Sequence, residues 1–135
     1  MDTPNPSGQL RVLLADDNAF FMDSIRQLLS RHAWLQVVGV ASHGAECLAL
    51  VAEQQPDVVV VDLAMPDING FEVIKLINSL PDHPRVIIMS LYDEPEYREG
   101  GRHLGVHGYV SKAAVTTELI PLLQGLFQES VSKSV

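Results

Sequence analysis

Val58-Val59-Val60-Val61-Asp62 is four β-branched residues in a row stopped by a carboxylate. Branched Cβ atoms favour extended backbone, and no polar side chain in the run could face water, so it reads as a strand buried on both faces of a parallel sheet. Runs of the same kind lie at Leu10 to Ala15, about Leu35 to Ala41, Val86 to Met89 and Val106 to Val110. Apolar residues recur at helical spacing between them. Asn18 can cap a helix whose stripe is Phe21, Ile25, Leu28, Leu29 and His32, and a second helix runs from about Gly44 to Gln54 on Leu48, Val51 and Ala52. Asn69 with Glu72 forms a capping box for a third that ends near Leu80, and Asp93 with Glu96 repeats that spacing ahead of a fourth that Gly105 stops. A fifth is predicted from about Thr117 to Gln128, with Pro121 near its first turn.

Five strands alternating with five helices, joined by right-handed crossovers, predict an α/β fold. It is a doubly wound five-stranded parallel sheet of order 2-1-3-4-5, the flavodoxin-like (βα)5 arrangement. The domain is expected over residues 10 to 128. Residues 1 to 9, with Pro4, Pro6 and Gly8, read as a flexible N-terminal segment, and the polar residues 129 to 135 as a C-terminal linker stub.

Composition narrows the function. With 47% hydrophobic and 19% charged residues over 135 positions, the chain is globular and about one domain long. No apolar run approaches the roughly 20 residues of a membrane span, and the N-terminus lacks the features of a signal peptide, so a cytoplasmic location without membrane contact is expected. Cys47 is the only cysteine, which excludes an internal disulfide and a cysteine metal cluster. A formal net charge of −8 argues against direct nucleic-acid binding by this segment, since gripping a phosphate backbone needs clustered cations.

The chemistry sits where the apolar runs end. Asp16 and Asp17 follow the first, Asp62 the third, Ser90 the fourth, and Lys112 lies just past the fifth. Ligands of such sheets bind outside the carboxyl ends of the strands, so these residues face one crevice. Three clustered carboxylates raise one another's pKa unless a cation sits among the oxygens, and hard oxygen ligands suit Mg²⁺. Asp62, at the centre of the sheet, can attack phosphorus to form an acyl phosphate, with Lys112 as a point charge and Ser90 as a hydroxyl donor for the phosphoryl oxygens. Each has a plainer reading: Asp16 or Asp17 as a helix cap, Ser90 as a strand-end turn residue, Lys112 as a solvated cation.

Leu13-Leu14-Ala15-Asp16-Asp17-Asn18, Val59 to Gly70 with Met65-Pro66, Met89-Ser90 and Gly108-Tyr109-Val110-Ser111-Lys112 together resemble the receiver domain of two-component response regulators, over about residues 9 to 128. The resemblance implies that Asp62 is the phosphoacceptor. It implies that Asp17, Asp62 and the backbone carbonyl of Ala64 bind Mg²⁺, with Asp16 helping through water. Ser90 and Lys112 would hold phosphoryl oxygens, and Tyr109 would be the aromatic that repacks when Ser90 moves. The phosphoryl donor would be a sensor histidine kinase or a phosphotransfer protein, and the chain no enzyme but a phosphoacceptor that assists its own phosphorylation and dephosphorylation. Gly-Tyr-Val-Ser-Lys without a following proline is similar to the subfamily whose receivers precede a helix-turn-helix DNA-binding domain, so the chain is expected to be a stand-alone receiver or an excised one.

Three positions depart from the family pattern. Leu91 stands where a small residue is usual and would narrow access to Asp62. Ala64 has no polar side chain to tune hydrolysis, which leaves Tyr92 as a candidate. Ala113 replaces a common proline, and a cis 112–113 peptide would cost about 2.5–4 kcal/mol.

Elsewhere the plainer readings prevail. The five histidines are scattered and read as ordinary side chains, Cys47 as a small core residue, and Trp34 as packing at the sheet end opposite the site. Phe20 falls off the core stripe one turn from Asp17, which suits a docking anchor for a kinase helix. A homodimer formed on phosphorylation is expected through the first and fifth helices, with Phe20, Ile120 and Phe127 at its apolar centre. Three rivals remain: a receiver-like module that docks without phosphorylation, an aspartate-dependent phosphohydrolase, whose Asp-x-Asp motif is broken here by Ala64, and a flavoprotein, whose phosphate Asp16 and Asp17 would repel.

Overall fold

All five apolar runs are strands, and they pair in parallel in the order β2-β1-β3-β4-β5. The computed structural model describes residues 8 to 133; the expectations for residues 1–7 and 134–135 lie outside that range. Its elements are β1 (Leu10–Ala15), α1 (Ala19–Ser30), β2 (Leu35–Ala41), α2 (Gly44–Gln54), β3 (Val58–Val61), α3 (Gly70–Asn78), β4 (Arg85–Ser90), α4 (Pro95–His103), β5 (Gly108–Ser111) and α5 (Val115–Lys133), with a single 3-10 turn at Lys112–Ala114.

Strand side chains alternate between faces, and the two faces form two cores. On one, Val12, Leu14, Val58 and Val60 meet Met22, Ile25 and Leu29 of α1 and Leu119 and Leu123 of α5. On the other, Leu13, Ala15, Val59 and Val61 meet Cys47 and Val51 of α2 and Val73, Ile74 and Ile77 of α3. Leu13, Leu14, Leu29, Leu119 and Leu123 are wholly buried, and each such side chain stabilises the fold by about 2 kcal/mol. α4 differs: its only fully buried residue is Gly101.

Local chemistry sets the helix starts. The Asn18 side chain accepts the Phe21 N–H at 3.0 Å, and that of Asn69 accepts the Phe71 N–H at 2.8 Å. The capping box expected at Asp93 and Glu96 does not form. α4 begins after Glu94, which makes no side-chain cap, and Pro95 occupies the first helical turn, where its missing N–H costs nothing. Asp93 instead pairs with Arg98 at 2.6 Å.

α5 starts at Val115 rather than Thr117 and runs to Lys133, so residues 129–133 are helix and not linker; Glu129 pairs with Arg85 at 2.8 Å. The described residues contain no cis peptide, so the 112–113 bond is trans. The apolar flank expected on helix 5 is partly covered within the domain. Phe127 packs tilted against Trp34 with centroids 5.1 Å apart and Ile120 packs on the core, both partly buried, whereas Phe20 of the expected dimer patch is 91% exposed. Trp34 has the packing role expected of it, wedged between Phe127 and His32.

Pro121 lies inside α5 rather than in its first turn. It cannot donate to the Thr117 carbonyl, so Pro121→Ala should raise the unfolding free energy by about 1–3 kcal/mol, less what alanine adds to unfolded-chain entropy. Urea denaturation checks this, and an unchanged midpoint would show that the helix already absorbs the proline.

Candidate functional site

The carboxylates are fixed by the same ladders that build the sheet. Asp16 N–H bonds the Ala41 carbonyl at 2.9 Å and Asp62 N–H the Ala15 carbonyl at 2.9 Å, so each acid is the last rung beyond its strand. Val61 pairs with Ile88, so Asp62 follows the end of β3 level with Met89, and Ser90 is the last residue of β4, one step further along. Asp16 is 2% exposed, Asp62 3% and Ser90 0%, whereas Asp17 is open to solvent. Oxygens of Asp16, Asp17 and Asp62 all lie within 4.8 Å of one another.

Lys112 projects from the end of β5 into this cluster, its Nζ 2.5 Å from Asp16 Oδ2 and 3.1 Å from Asp62 Oδ2. The ring of Phe21 covers the ammonium at 4.6 Å. The other oxygens find backbone donors: Asn18 N–H to Asp16 Oδ1 at 2.9 Å and Ala64 N–H to Asp62 Oδ1 at 3.2 Å. Asp16 Oδ2 is the exception. The ammonium beside it lies off the hydrogen-bond direction, so this buried oxygen is paired by charge and has no hydrogen-bond donor among the described residues.

Burial, more than the neighbouring Asp62 charge, lifts the Asp16 carboxyl above its ordinary pKa, although Lys112 and the Asn18 N–H pull the other way. Burial also pulls Lys112 down, but its contacts with the Asp16 and Asp62 carboxylates outweigh that and hold it above the usual lysine value. One ammonium therefore serves three carboxylates, and negative charge is in excess. Three clustered carboxylates served by one ammonium, with a buried Asp16 oxygen that accepts no hydrogen bond among the described residues, make an all-oxygen donor set that fits a hard divalent cation such as Mg²⁺.

Ser90 opens a second network. Its Oγ accepts the Tyr92 N–H at 2.9 Å, and the Tyr109 hydroxyl donates to the Tyr92 carbonyl. Burial raises the Tyr109 pKa against the Ser90 hydroxyl and the Arg98 charge. The Arg98 guanidinium lies 4.8 Å above the Tyr109 ring, donates to the Tyr109 carbonyl at 3.3 Å and pairs with Asp93. Tyr92 stacks on Tyr97 with centroids 4.9 Å apart.

The strand-end residues expected to meet are thus together: Asp16, Asp17, Asp62 and Lys112 directly, with Ser90 and Tyr109 joined through Tyr92. Leu91 is 76% exposed, and Phe20 stands in solvent on α1. Phe21 and Arg98 were not singled out from the sequence. Spacing places Phe21 only in the core stripe of the first helix, and no local motif marks Arg98.

The response regulator receiver domain family model matches residues 12–124. The chain is 34% identical over 119 residues to the response regulator GacA of Pseudomonas aeruginosa, covering 87% of this chain and 55% of that protein. It is 39% identical over 118 residues to a protein-glutamate methylesterase/protein-glutamine glutaminase of Myxococcus xanthus, covering 86% of this chain and 34% of that one. Among solved structures, the signal receiver domain of the putative response regulator NarL from Mycobacterium tuberculosis superposes with a TM-score of 0.81 at 30% identity, over 89% of this chain and 97% of that one. The chain belongs to the response regulator receiver domain family, and it spans about a third to a half of the length of these two full-length relatives. Such domains are generally signalling modules, and the methylesterase relative shows that one can sit in an enzyme. No helix among the described residues is long and apolar enough to cross a membrane.

Because the Asp16 pKa is raised in the fold, its charge weakens the native state at every pH above the unfolded carboxylate value of about 3.9. Asp16→Asn should therefore raise the melting temperature at pH 7 in divalent-free buffer, and the gain should vanish as the pH falls below that value. Thermal unfolding across pH checks this; a variant less stable at pH 7 would mean that the contact with Lys112 outweighs burial.

Proposed function

We propose that this receiver domain is a phosphorylation-controlled switch in which Asp62 accepts a phosphoryl group from a sensor histidine kinase or a phosphotransfer protein. The observation that carries the reading is the Lys112 ammonium, 3.1 Å from Asp62 Oδ2 beside three carboxylates whose oxygens lie within 4.8 Å. Phosphoryl transfer needs this kind of positioning and charge neutralisation more than acid-base work. An Asp62 oxygen attacks phosphorus, an O–P bond forms as the P–N bond of the donor phosphohistidine breaks, and the departing imidazole nitrogen keeps the electron pair. Lys112 meets one phosphoryl oxygen as a point charge, and the Ser90 hydroxyl donates to another while still accepting from Tyr92. Asp16, Asp17, Asp62 and the backbone carbonyl of Ala64 would hold Mg²⁺, which when bound neutralises charge on the phosphoryl oxygens.

Relay follows from the hydrogen bonds. Motion of Ser90 toward a phosphoryl group draws on Tyr92, whose carbonyl holds the Tyr109 hydroxyl, so the change reaches the loop before α4 and the aromatic on β5. Ala64, whose N–H donates to Asp62, and Leu91 and Tyr92, which follow Ser90, would tune access to Asp62 and its rate. Phe20 gives a kinase helix an exposed aromatic to dock on. A self-pairing of the phosphorylated form across α1 and α5 would centre on Phe20. The protein acts in the cytoplasm, and its output lies in a partner or a further domain, DNA-binding as in the transcription-regulating relatives.

Incubation with Mg²⁺ and a small acyl phosphate should add one phosphoryl mass to the intact chain, and Asp62→Asn should abolish the adduct. Borohydride trapping that maps the group to a different aspartate would overturn the assignment.

Mg²⁺ alone should raise the melting temperature, since it relieves native-state repulsion that the unfolded chain lacks; a hundredfold excess over Kd corresponds to about 2.7 kcal/mol. Asp17→Asn should blunt that rise, and a wild-type chain indifferent to Mg²⁺ would count against the cation site.

A further inference from the structure

The segment between β3 and α3, residues 62–69, carries Asp62 and Ala64 and is fastened in two places. At its ends, the Gly70 N–H bonds the Leu63 carbonyl at 3.0 Å, and a Cβ on Gly70 would lie 2.5 Å from Leu63 Cα, so α3 starts hard against the backbone that leaves Asp62. In its middle, Asp67 reaches across to a different helix. Its Oδ1 accepts the Gly44 N–H at 2.7 Å and its Oδ2 the Ala45 N–H at 3.0 Å, with His43 Nδ1 3.2 Å from the same oxygen. These two N–H groups open α2 and have no partner within the helix.

Gly44 shows how closely the two pieces meet. A Cβ there would lie 2.9 Å from Ile68 Cβ, 3.0 Å from Val73 Cγ2 and 3.3 Å from Asp67 Oδ1. The backbone N–H groups of Ala45 and Gly44 hold the Asp67 carboxyl well below the usual carboxylate range. Both oxygens are used, which an asparagine could not match, since its amide nitrogen cannot accept a hydrogen bond.

We propose that Asp67 is a positioning residue for the phosphoryl-accepting site: by clamping the loop to the start of α2 it fixes the Ala64 main chain relative to Asp62, and so sets the affinity of the acidic cluster for its divalent cation. This rests on the reading that Asp16, Asp17, Asp62 and the Ala64 carbonyl take Mg²⁺. Asp67 itself touches neither cation nor phosphoryl group. Groups that hold a ligand-bearing backbone in place act on metal affinity through its geometry.

Two measurements on wild type, Asp67→Ala and Asp67→Asn test it: amide hydrogen exchange at Gly44 and Ala45, and Mg²⁺ titration by calorimetry. The expected result for Asp67→Ala is exchange about tenfold faster at both amides together with a Kd for Mg²⁺ raised about tenfold. Asp67→Asn, which keeps one acceptor and should fold as the wild type does, is expected between the two in both readouts. A purely structural role would lower the melting temperature and speed exchange while leaving Kd within about twofold of wild type, and that result overturns the proposal. Equal protection of Gly44 and Ala45 in all three chains overturns the clamp. A wild-type chain that takes up no Mg²⁺ overturns the site reading and the proposal with it, and is told apart from the other failures because the wild type alone reveals it.

Discussion

The site is organised by a shortage of positive charge. Asp16 and Asp62 are buried at the ends of neighbouring strands with one ammonium between them, and Asp17 stands beside them. A lone buried charge costs several kcal/mol, and one well-placed partner offsets only part of that. The sheet supplies the rigidity that keeps such groups together: each acid is still held by a ladder hydrogen bond to the strand alongside. Without that backbone the carboxylates would swing apart into water, and the site would lose its draw for a cation.

The rest of the active face is arranged around this tension. Phe21 shields Lys112, Asn18 and Ala64 give backbone donors to two oxygens, and one oxygen of Asp16 is left without a donor. Stability has been spent here, as is common where pKa values are perturbed for function. Farther out the arrangement changes character. Ser90, Tyr92, Tyr109 and Arg98 form a chain of hydrogen bonds and ring contacts between β4, α4 and β5, with few buried apolar atoms. A charge disturbance at the carboxylates therefore reaches an element that the core hardly restrains.

What the sequence disclosed, and what it hid, divides by range. The strands were legible because each contains a short apolar run, all β-branched in β3, and the caps at Asn18 and Asn69 because they act two or three residues along the chain. The charged strand ends were legible because topology alone brings them together. Asp67 was not, since its partner helix lies 23 residues away and no local spacing announces a cap supplied by a distant loop. Helix 5 outran its expected end because its last turns lean on tertiary contact, with Arg85 holding Glu129. Phe127 looked like an exposed flank on the helical wheel, but Trp34, far off in sequence, occupies that side. At Asp93 the capping pattern was present and lost to Pro95 and Arg98, two competitors for the same short stretch.

α4 contributes one fully buried residue, a glycine, and is held otherwise by the partly buried Tyr97 and by surface polar and aromatic contacts. Surface substitutions away from such contacts usually change stability by no more than about 0.5 kcal/mol. Pro95, Glu96, Glu99, Arg102 and His103 on α4 are exposed and can thus be exchanged without endangering the fold, whereas β1, β3 and β4, buried along almost their whole length, have almost no such latitude. The domain separates a part that mutation must leave alone from a part it can rewrite, and new partners can be acquired on α4 while the phosphoryl chemistry stays intact.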